Sequence, residues 1–181
     1  MDNRFTSRDL SYIALGAVFI ALCSWISVPT TIPFTMQTFA VFLILLLLGG
    51  RNGTVSIAVY ILIGCVGMPV FAGFTGGIGI LLGTTGGYFL GFLLTGLVYW
   101  LSERLFGGAG LTRALSLLLG LLFCYAFGTA WFMLVYAKQA GAVSLMTALT
   151  WCVFPFILPD LAKMALALAV SSRLGGRFRT R

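Results

Sequence analysis

The chain has 181 residues, of which 60% are hydrophobic and only 8% are charged, and its formal net charge is +7. These proportions lie far outside those of soluble globular domains and indicate an integral membrane protein. Continuously apolar runs such as "AVFLILLLL" exclude a β-barrel, whose strands alternate apolar and polar residues. The fold class we predict is an all-α, polytopic membrane protein, with residues 1–181 forming a single domain.

The composition also argues against several functional classes. The basic residues are divided between the termini and short turns rather than lying along one face, which argues against nucleic-acid binding. The four cysteines form no CxxC pair and the chain has no histidine, so we expect no metal site. The glycine-rich "GGIGILLGTTGG" lacks the lysine of a phosphate-binding loop, and no GxSxG motif is present. We therefore expect neither an ATPase nor any other enzyme.

Apolar runs and the breakers between them predict six helices, over 9–28, 36–48, 53–66, 85–105, 112–137 and 146–173. The first run has no small-residue cleavage site, so we interpret it as a helix and not as a cleaved signal. The second and third helices are shorter than the roughly 20 residues of a full span. We expect them to tilt, to extend into flanking residues, or to form a re-entrant hairpin.

The distribution of basic residues provides an independent check on the number of spans. With six spans, one side of the membrane carries Lys138 and the other side carries nine arginines. The nine are Arg4, Arg8, Arg51, Arg104, Arg113, Arg173, Arg177, Arg179 and Arg181. By the positive-inside rule, this asymmetry predicts that both termini are cytoplasmic.

The two long connections on the opposite side, 27–37 and 67–88, carry no charge at all. Irregular backbone at membrane depth is tolerated only where protein or a cavity surrounds it. We therefore interpret both connections as lids over an outward-facing cavity. The alternative is that they are hydrophobic loops at the membrane interface.

The last apolar run contains Asp160 and Lys163, which share one face of a helix because they are three residues apart. A charge facing lipid costs roughly 2.5 to 3.5 kcal/mol on insertion scales, so this face should point into the bundle. Pro155 and Pro159 are expected to break the helix and to place Asp160 at the start of a new turn. The pair is either a neutralising staple or the polar end of a ligand pocket.

Further residues at the same depth could complete such a pocket, since ligand sites combine apolar walls with a few placed polar groups. The polar candidates are Thr35, Gln37, Thr38, Thr84, Thr85 and Tyr88. The aromatic candidates are Phe71, Phe74, Trp131 and Trp151, although each aromatic taken alone is more commonly a packing or interfacial residue.

Helix one carries small residues four apart, Ala17 and Ala21, a spacing that allows close helix approach in lipid. The sequence alone does not distinguish internal packing from docking of a partner protein.

Three segments in combination, "GMPVFAG", "GTTGGYFLGF" and "PFILPDLAK", closely resemble the BioY family, the biotin-binding S components of energy-coupling factor transporters. The resemblance covers most of the chain. It implies a six-helix bundle in the cell membrane that binds biotin from outside. It also implies a transmembrane scaffold subunit and two ATPase subunits as partners, with biotin as transported ligand and no further cofactor.

The resemblance also assigns residues. Asp160 and Lys163 match the family's polar pocket residues on the last helix, and Tyr88 matches the aromatic residue that ends its TGGY motif. Phe71 is expected to form an apolar wall. Of the polar candidates above, we predict Gln37 and Thr35 as further substrate contacts. Which ligand group meets Asp160 and which meets Lys163 stays open.

On the first helix, the family's AxxxA motif contacts the scaffold subunit, which here assigns Ala17 and Ala21 to docking. In the outer loop, Thr84 stands where many relatives have proline, a change that should loosen this segment. Two other functions remain: an autonomous, proton-coupled carrier of a small carboxylate-bearing vitamin, and a structural membrane protein without a ligand.

Overall fold

Helices make up most of the computed structural model, which describes residues 5–29 and 32–174. In chain order the elements are α1 (Ser7–Trp25), β1 (Ser27–Val28), β2 (Phe34–Thr35), α2 (Gln37–Cys65), a 3₁₀ turn (Ala72–Phe74), α3 (Ile78–Leu82), α4 (Gly86–Phe106), α5 (Gly110–Ala140), α6 (Leu145–Cys152) and α7 (Phe154–Leu174). Within the described ranges, α1, α2, α4, α5 and the α6 and α7 segment are long and apolar enough to cross a membrane. The predicted all-α membrane bundle is confirmed.

Helix α2 is interrupted at Gly49, whose backbone is not helical, with a φ of 81° and a ψ of 170°. The chain reverses there: a Cβ on Gly53 would lie 3.0 Å from the Cα of Leu45, eight residues earlier. At the open end of the two arms, the Gln37 side chain donates to the hydroxyl of Tyr60 over 2.7 Å. The predicted helices 36–48 and 53–66 are therefore the two arms of a helical hairpin, which brings the number of long helical segments in the described ranges to six.

The hairpin lies at the centre of the bundle, between α1, α4 and α7. Of its most apolar window, 78% is buried, compared with 22% to 44% in the other spanning segments. Its arms are surrounded mainly by protein, so they need not reach the length of a lipid-facing span. This position explains why they are the shortest of the predicted helices.

Two carboxylates hold the reversal of α2 from opposite sides. Glu103 on α4 accepts a hydrogen bond from the backbone N–H of Gly50 over 2.7 Å. Asp9 on α1 accepts from the side chain of Asn52 over 2.8 Å and also completes the capping box with Thr6. The turn between the arms is thus tied to both neighbouring helices.

The described arginines lie at the ends of helices that meet at one end of the bundle, namely Arg8, Arg51, Arg104, Arg113 and Arg173. Lys138 lies near the end of α5 at the opposite end. Arg4, Arg177, Arg179 and Arg181 fall outside the described residues. The asymmetry expected from the sequence therefore holds for the arginines that the structure describes.

The structure places Ala17 and Ala21 on the inward face of α1, with exposed fractions of 3% and 7%. Both belong to the central apolar cluster that includes the arms of α2. In this chain both side chains therefore pack internally, and their assignment to docking of a partner stays a prediction. The outward face of α1 is formed instead by larger residues such as Leu15, Val18 and Leu22.

The predicted helix 146–173 is two helices, which meet at Val153 with a φ of −127°. Pro155 lies in the first turn of α7, where its missing N–H is not needed, and Pro159 is accommodated inside the helix. Asp160 therefore lies beyond the first turn, and the expectation that it would begin a new turn is wrong.

The close approach of the α2 reversal to α4 leads to the first prediction. A Cβ on Gly50 would clash with the Cα of Trp100, which is backbone and cannot rotate away. We expect Gly50→Ala to lower the free energy of unfolding by about 1 to 3 kcal/mol, the usual cost of overpacking.

The matched control is Gly110→Ala, because a Cβ there meets nothing within 4 Å. The measurement is thermal unfolding of both purified variants in detergent. Equal unfolding midpoints for the two variants would contradict the packing of α2 against α4 described above.

Candidate functional site

A cavity of about 280 Å³ lies inside the bundle, between α2, α4, α5 and α7 and beneath the two uncharged connections. Its size is close to the lower end of the range for small-molecule pockets, roughly 300 Å³. The six residues predicted as substrate contacts all line it: Thr35, Gln37, Phe71, Tyr88, Asp160 and Lys163. Residues far apart in the chain thus meet at one site, which is what a pocket requires.

Asp160 and Lys163 form a buried ion pair at one end of the cavity. The Lys163 Nζ donates to Asp160 Oδ1 over 2.8 Å, and the two residues are 7% and 3% exposed. Charges at this depth are stable only when paired or solvated by polar groups. The pair gives an otherwise apolar cavity a polar end.

The ammonium of Lys163 has two further partners, both from the first uncharged connection. Nζ donates to the backbone carbonyl of Thr35 over 2.8 Å and lies 4.1 Å from the centroid of the Phe34 ring. An ammonium has three donor directions, and here they point to a carboxylate, a carbonyl and an aromatic face. Lys163 therefore ties β2 to α7.

Tyr125 on α5 donates its hydroxyl to the other carboxylate oxygen, Asp160 Oδ2, over 2.7 Å. The pair thus joins three elements, α5, α7 and β2, although its own members are on one helix. The same side chains thus link these elements and line the cavity, so the staple and the pocket interpretations do not exclude each other.

A second polar chain runs along the cavity wall at the start of α2. The Thr35 hydroxyl donates to Gln37 Oε1 over 3.0 Å, and Gln37 Nε2 donates to the Tyr60 hydroxyl over 2.7 Å. Gln37 is therefore held at both ends of its amide, and one N–H of the side chain stays available to a ligand.

Aromatic side chains form the apolar part of the cavity. Phe71 is 1% exposed and packs on Phe89 and Tyr60, with ring centroids 4.4 and 5.6 Å apart. Gly64 leaves room for the ring, since a Cβ there would overlap Phe71. The predicted apolar wall is therefore a buried residue of the second connection.

Tyr88 lies on the cavity wall at the start of α4, close against Gly128. Its hydroxyl lies 3.4 Å from that of Thr129 and 3.5 Å from the carbonyl oxygen of Cys152. Both contacts are long, so the hydroxyl is weakly engaged and free to reorient toward a ligand.

The second connection is fastened over the cavity by side chains of the spanning helices. Ser24 at the end of α1 donates to the carbonyl of Val70 over 2.5 Å, and Trp25 Nε1 donates to the carbonyl of Pro69 over 2.9 Å. On the other side, Trp131 Nε1 donates to the carbonyl of Gly83 over 2.9 Å. Both connections line the cavity, as the lid interpretation predicts; residues 30 and 31 of the first fall outside the described part.

Several predicted wall residues do not line the cavity. Phe74 is 63% exposed and stacks on Trp25, with ring centroids 4.9 Å apart. Trp151 packs against Phe132, and Trp131 fastens the second connection instead. Of the threonines, Thr38 and Thr85 line the cavity, whereas Thr84 does not.

In the described part of the chain, no group of three or more cysteine, aspartate or glutamate side chains lies together. The cysteines in the described ranges are free thiols, and Cys124 and Cys152 lie on the cavity wall.

Comparison with known proteins shows the family to which this chain is similar. The model of the BioY family matches residues 1–180. The chain is 40% identical over 171 residues to the Probable biotin transporter BioY of Pyrococcus horikoshii, covering 94% of this chain and 98% of that protein. It is 35% identical over 168 residues to the Biotin transporter BioY of Thermotoga maritima, covering 92% and 95%.

This chain belongs to the BioY family.

The fold agrees with a solved structure. A crystal structure of the S-component for biotin from an ECF-type ABC transporter superposes on this BioY-family chain with a TM-score of 0.82, at 26% identity and with 97% of each chain covered. The bundle described above is therefore the S-component fold.

Two polar side chains of this BioY-family site are not among the residues predicted from the sequence, Tyr125 and Tyr60. Tyr125 lies near the middle of α5, whereas tyrosines of membrane helices are enriched at the two interfaces, so its depth is a signal that the sequence carries. Tyr60 lies near the end of α2 and gives no such signal.

The fastening of the second connection leads to the second prediction. Removing the Ser24 hydroxyl by Ser24→Ala should loosen the lid, because a buried hydrogen bond contributes about 1 kcal/mol. We expect hydrogen exchange of the backbone amides in 67–77 to accelerate about fivefold, since 1.4 kcal/mol corresponds to a factor of about ten.

Ser171→Ala is the control, since that hydroxyl bonds only within α7, to the carbonyl of Leu168. Unchanged exchange in 67–77 of the Ser24 variant would show that this contact does not hold the lid.

Proposed function

We propose that this chain is the biotin-binding S component of an ECF-type importer, a binding and transport subunit rather than an enzyme. The observation that carries the proposal is the cavity within the bundle, which has one charged, hydrogen-bonded end and aromatic walls. The identity of the ligand is inferred from the relatives named above, which are described as biotin transporters.

The chemistry of biotin suits this cavity. Its ureido ring offers two N–H donors and a carbonyl, its valerate ends in a carboxylate, and its thiophane ring and methylenes are apolar. Asp160 keeps lone pairs on both oxygens after accepting from Lys163 and Tyr125, so it is able to accept from ureido N–H groups. The thiophane ring suits the aromatic wall around Phe71.

The third prediction concerns affinity. Asp160→Asn should weaken biotin binding by roughly 10- to 100-fold, because hydrogen bonds to charged groups are worth about 1.5 to 3 kcal/mol. Lys163→Ala should weaken it as well, since it leaves Asp160 without its counter-charge. The measurement is calorimetric titration of biotin into the purified, detergent-solubilised protein, with desthiobiotin as a second ligand.

Lys138→Ala is the matched control, because Lys138 is an exposed residue outside the cavity. If the folded parent protein binds no biotin in this titration, the proposed substrate is refuted. Affinities equal to the parent in both cavity variants would refute the proposed site.

We further propose that transport is driven in partner chains, a transmembrane scaffold subunit and two ATPase subunits, with both termini in the cytoplasm and the cavity facing outward. The sequence has no nucleotide-binding motif, and the described arginines cluster at the end of the bundle opposite the lids. The first helix remains the proposed docking element: Ala17 and Ala21 lie on it, and its exposed face carries Leu15, Val18 and Leu22.

The fourth prediction separates this role from that of an autonomous proton-coupled carrier. In proteoliposomes that contain the chain with an ECF scaffold and its ATPases, biotin uptake should require ATP and should survive an uncoupler. The comparison is with proteoliposomes that contain the chain alone. Uncoupler-sensitive uptake by the chain alone would favour the carrier.

A further inference from the structure

Tyr125 lies on α5 and lines the cavity, and its hydroxyl is 2.7 Å from Asp160 Oδ2. It is the only side chain of α5 whose polar group contacts the ion pair within the described residues. The nearest charged residue, Lys163, bonds the other oxygen, Oδ1, over 2.8 Å. Each oxygen of the carboxylate therefore has its own donor.

This arrangement bears on the orientation of the carboxylate. The last torsion of an aspartate side chain is broad and has no sharp rotamer, so one hydrogen bond to Oδ1 leaves the carboxylate plane free to rock. A second donor on Oδ2, from a different helix, restrains that torsion. The lone pairs that neither donor uses are then fixed relative to the cavity.

The direction of the phenol hydrogen follows from the same contact. A carboxylate can only accept hydrogen bonds, so the Tyr125 hydroxyl donates to Asp160. The hydroxyl oxygen of Tyr125 is then able to accept a hydrogen bond from another group. Neither Thr35 nor Gln37 takes over this role, because they form hydrogen bonds with Lys163, Tyr60 and each other.

We propose that Tyr125 is a positioning residue for ligand recognition, which holds the Asp160 carboxylate in the orientation that accepts N–H groups of the ligand. This inference rests on the proposed function for the identity of the ligand. Tyr125 acts through Asp160, so the effect of Tyr125 on ligand affinity should vanish when the Asp160 carboxylate is absent.

The variant that isolates the hydroxyl is Tyr125→Phe, which keeps the ring and its packing. Tyr136→Phe is the matched control on the same helix, since Tyr136 does not line the cavity and packs on Phe132 and Trp151.

The first measurement needs no ligand. Infrared spectra of the parent and of Asp160→Asn identify the carboxylate stretching band of Asp160 by difference. We expect this band to shift in Tyr125→Phe and to stay in place in Tyr136→Phe. An unshifted band in Tyr125→Phe would overturn the inference, because the carboxylate would then not depend on the phenol.

The second measurement is a double-mutant cycle by calorimetric titration. We expect Tyr125→Phe to weaken biotin and desthiobiotin binding by the same factor, roughly tenfold, since both ligands keep the ureido ring. In the Asp160→Asn background the same change should alter affinity by less than about twofold.

A purely structural role for Tyr125 would weaken binding equally in both backgrounds, and that result would overturn the inference. If the folded parent binds no biotin, the proposed function fails, and the infrared comparison still decides whether Tyr125 positions Asp160.

Discussion

The buried ion pair of Asp160 and Lys163 is the constraint on which the cavity depends. In an apolar bundle, each of these charges is stable only if polar partners replace water. The partners come from elsewhere in the chain: the Tyr125 hydroxyl on α5 and the Thr35 carbonyl on β2. Satisfying two charges therefore also fixes where α7 stands relative to α5 and where the first connection crosses the cavity.

The central hairpin of α2 supplies the other half of the site. Its reversal at Gly49 brings Gln37 and Tyr60 together at the open end of the hairpin. Gln37 lines the cavity there, and Tyr60 lies behind it as its hydrogen-bond partner. At the closed end, Asp9 and Glu103 hold the turn against α1 and α4. The acidic residues of the described chain thus have three separate places, two at the turn and one in the cavity, and none of them faces lipid unpaired.

Much of this architecture could be predicted from the sequence, for physical reasons that differ from element to element. Charges inside an apolar run are unambiguous, so Asp160 and Lys163 could be assigned to an interior face at once. The two short helices could be recognised as unusual, and their central position explains their length. The uncharged connections could be expected to cover a cavity because exposed backbone is not tolerated at that depth.

Other features could not be predicted, because lipid and protein core are equally apolar. The inward face of α1 is therefore invisible to hydropathy, and the sequence alone does not show that Ala17 and Ala21 pack against the rest of the bundle. The helix breaks at Val153, which leaves Pro155 in the first turn of α7, where proline is tolerated, and Pro159 inside the helix. The sequence does not show which of the two prolines marks the break. Tyr125 has no charge and no motif, so its role appears only once α5 and α7 are placed side by side.

The two charges of the pair are not equivalent toward an incoming ligand. Asp160 retains open lone pairs, so a donor group of the ligand reaches it without displacing any protein contact. The three directions of Lys163 are already taken, two of them by Phe34 and Thr35 of the first connection. A ligand acceptor that approaches Lys163 therefore competes with one of three existing contacts, two of which hold this connection. A ligand donor that approaches Asp160 competes with none of them.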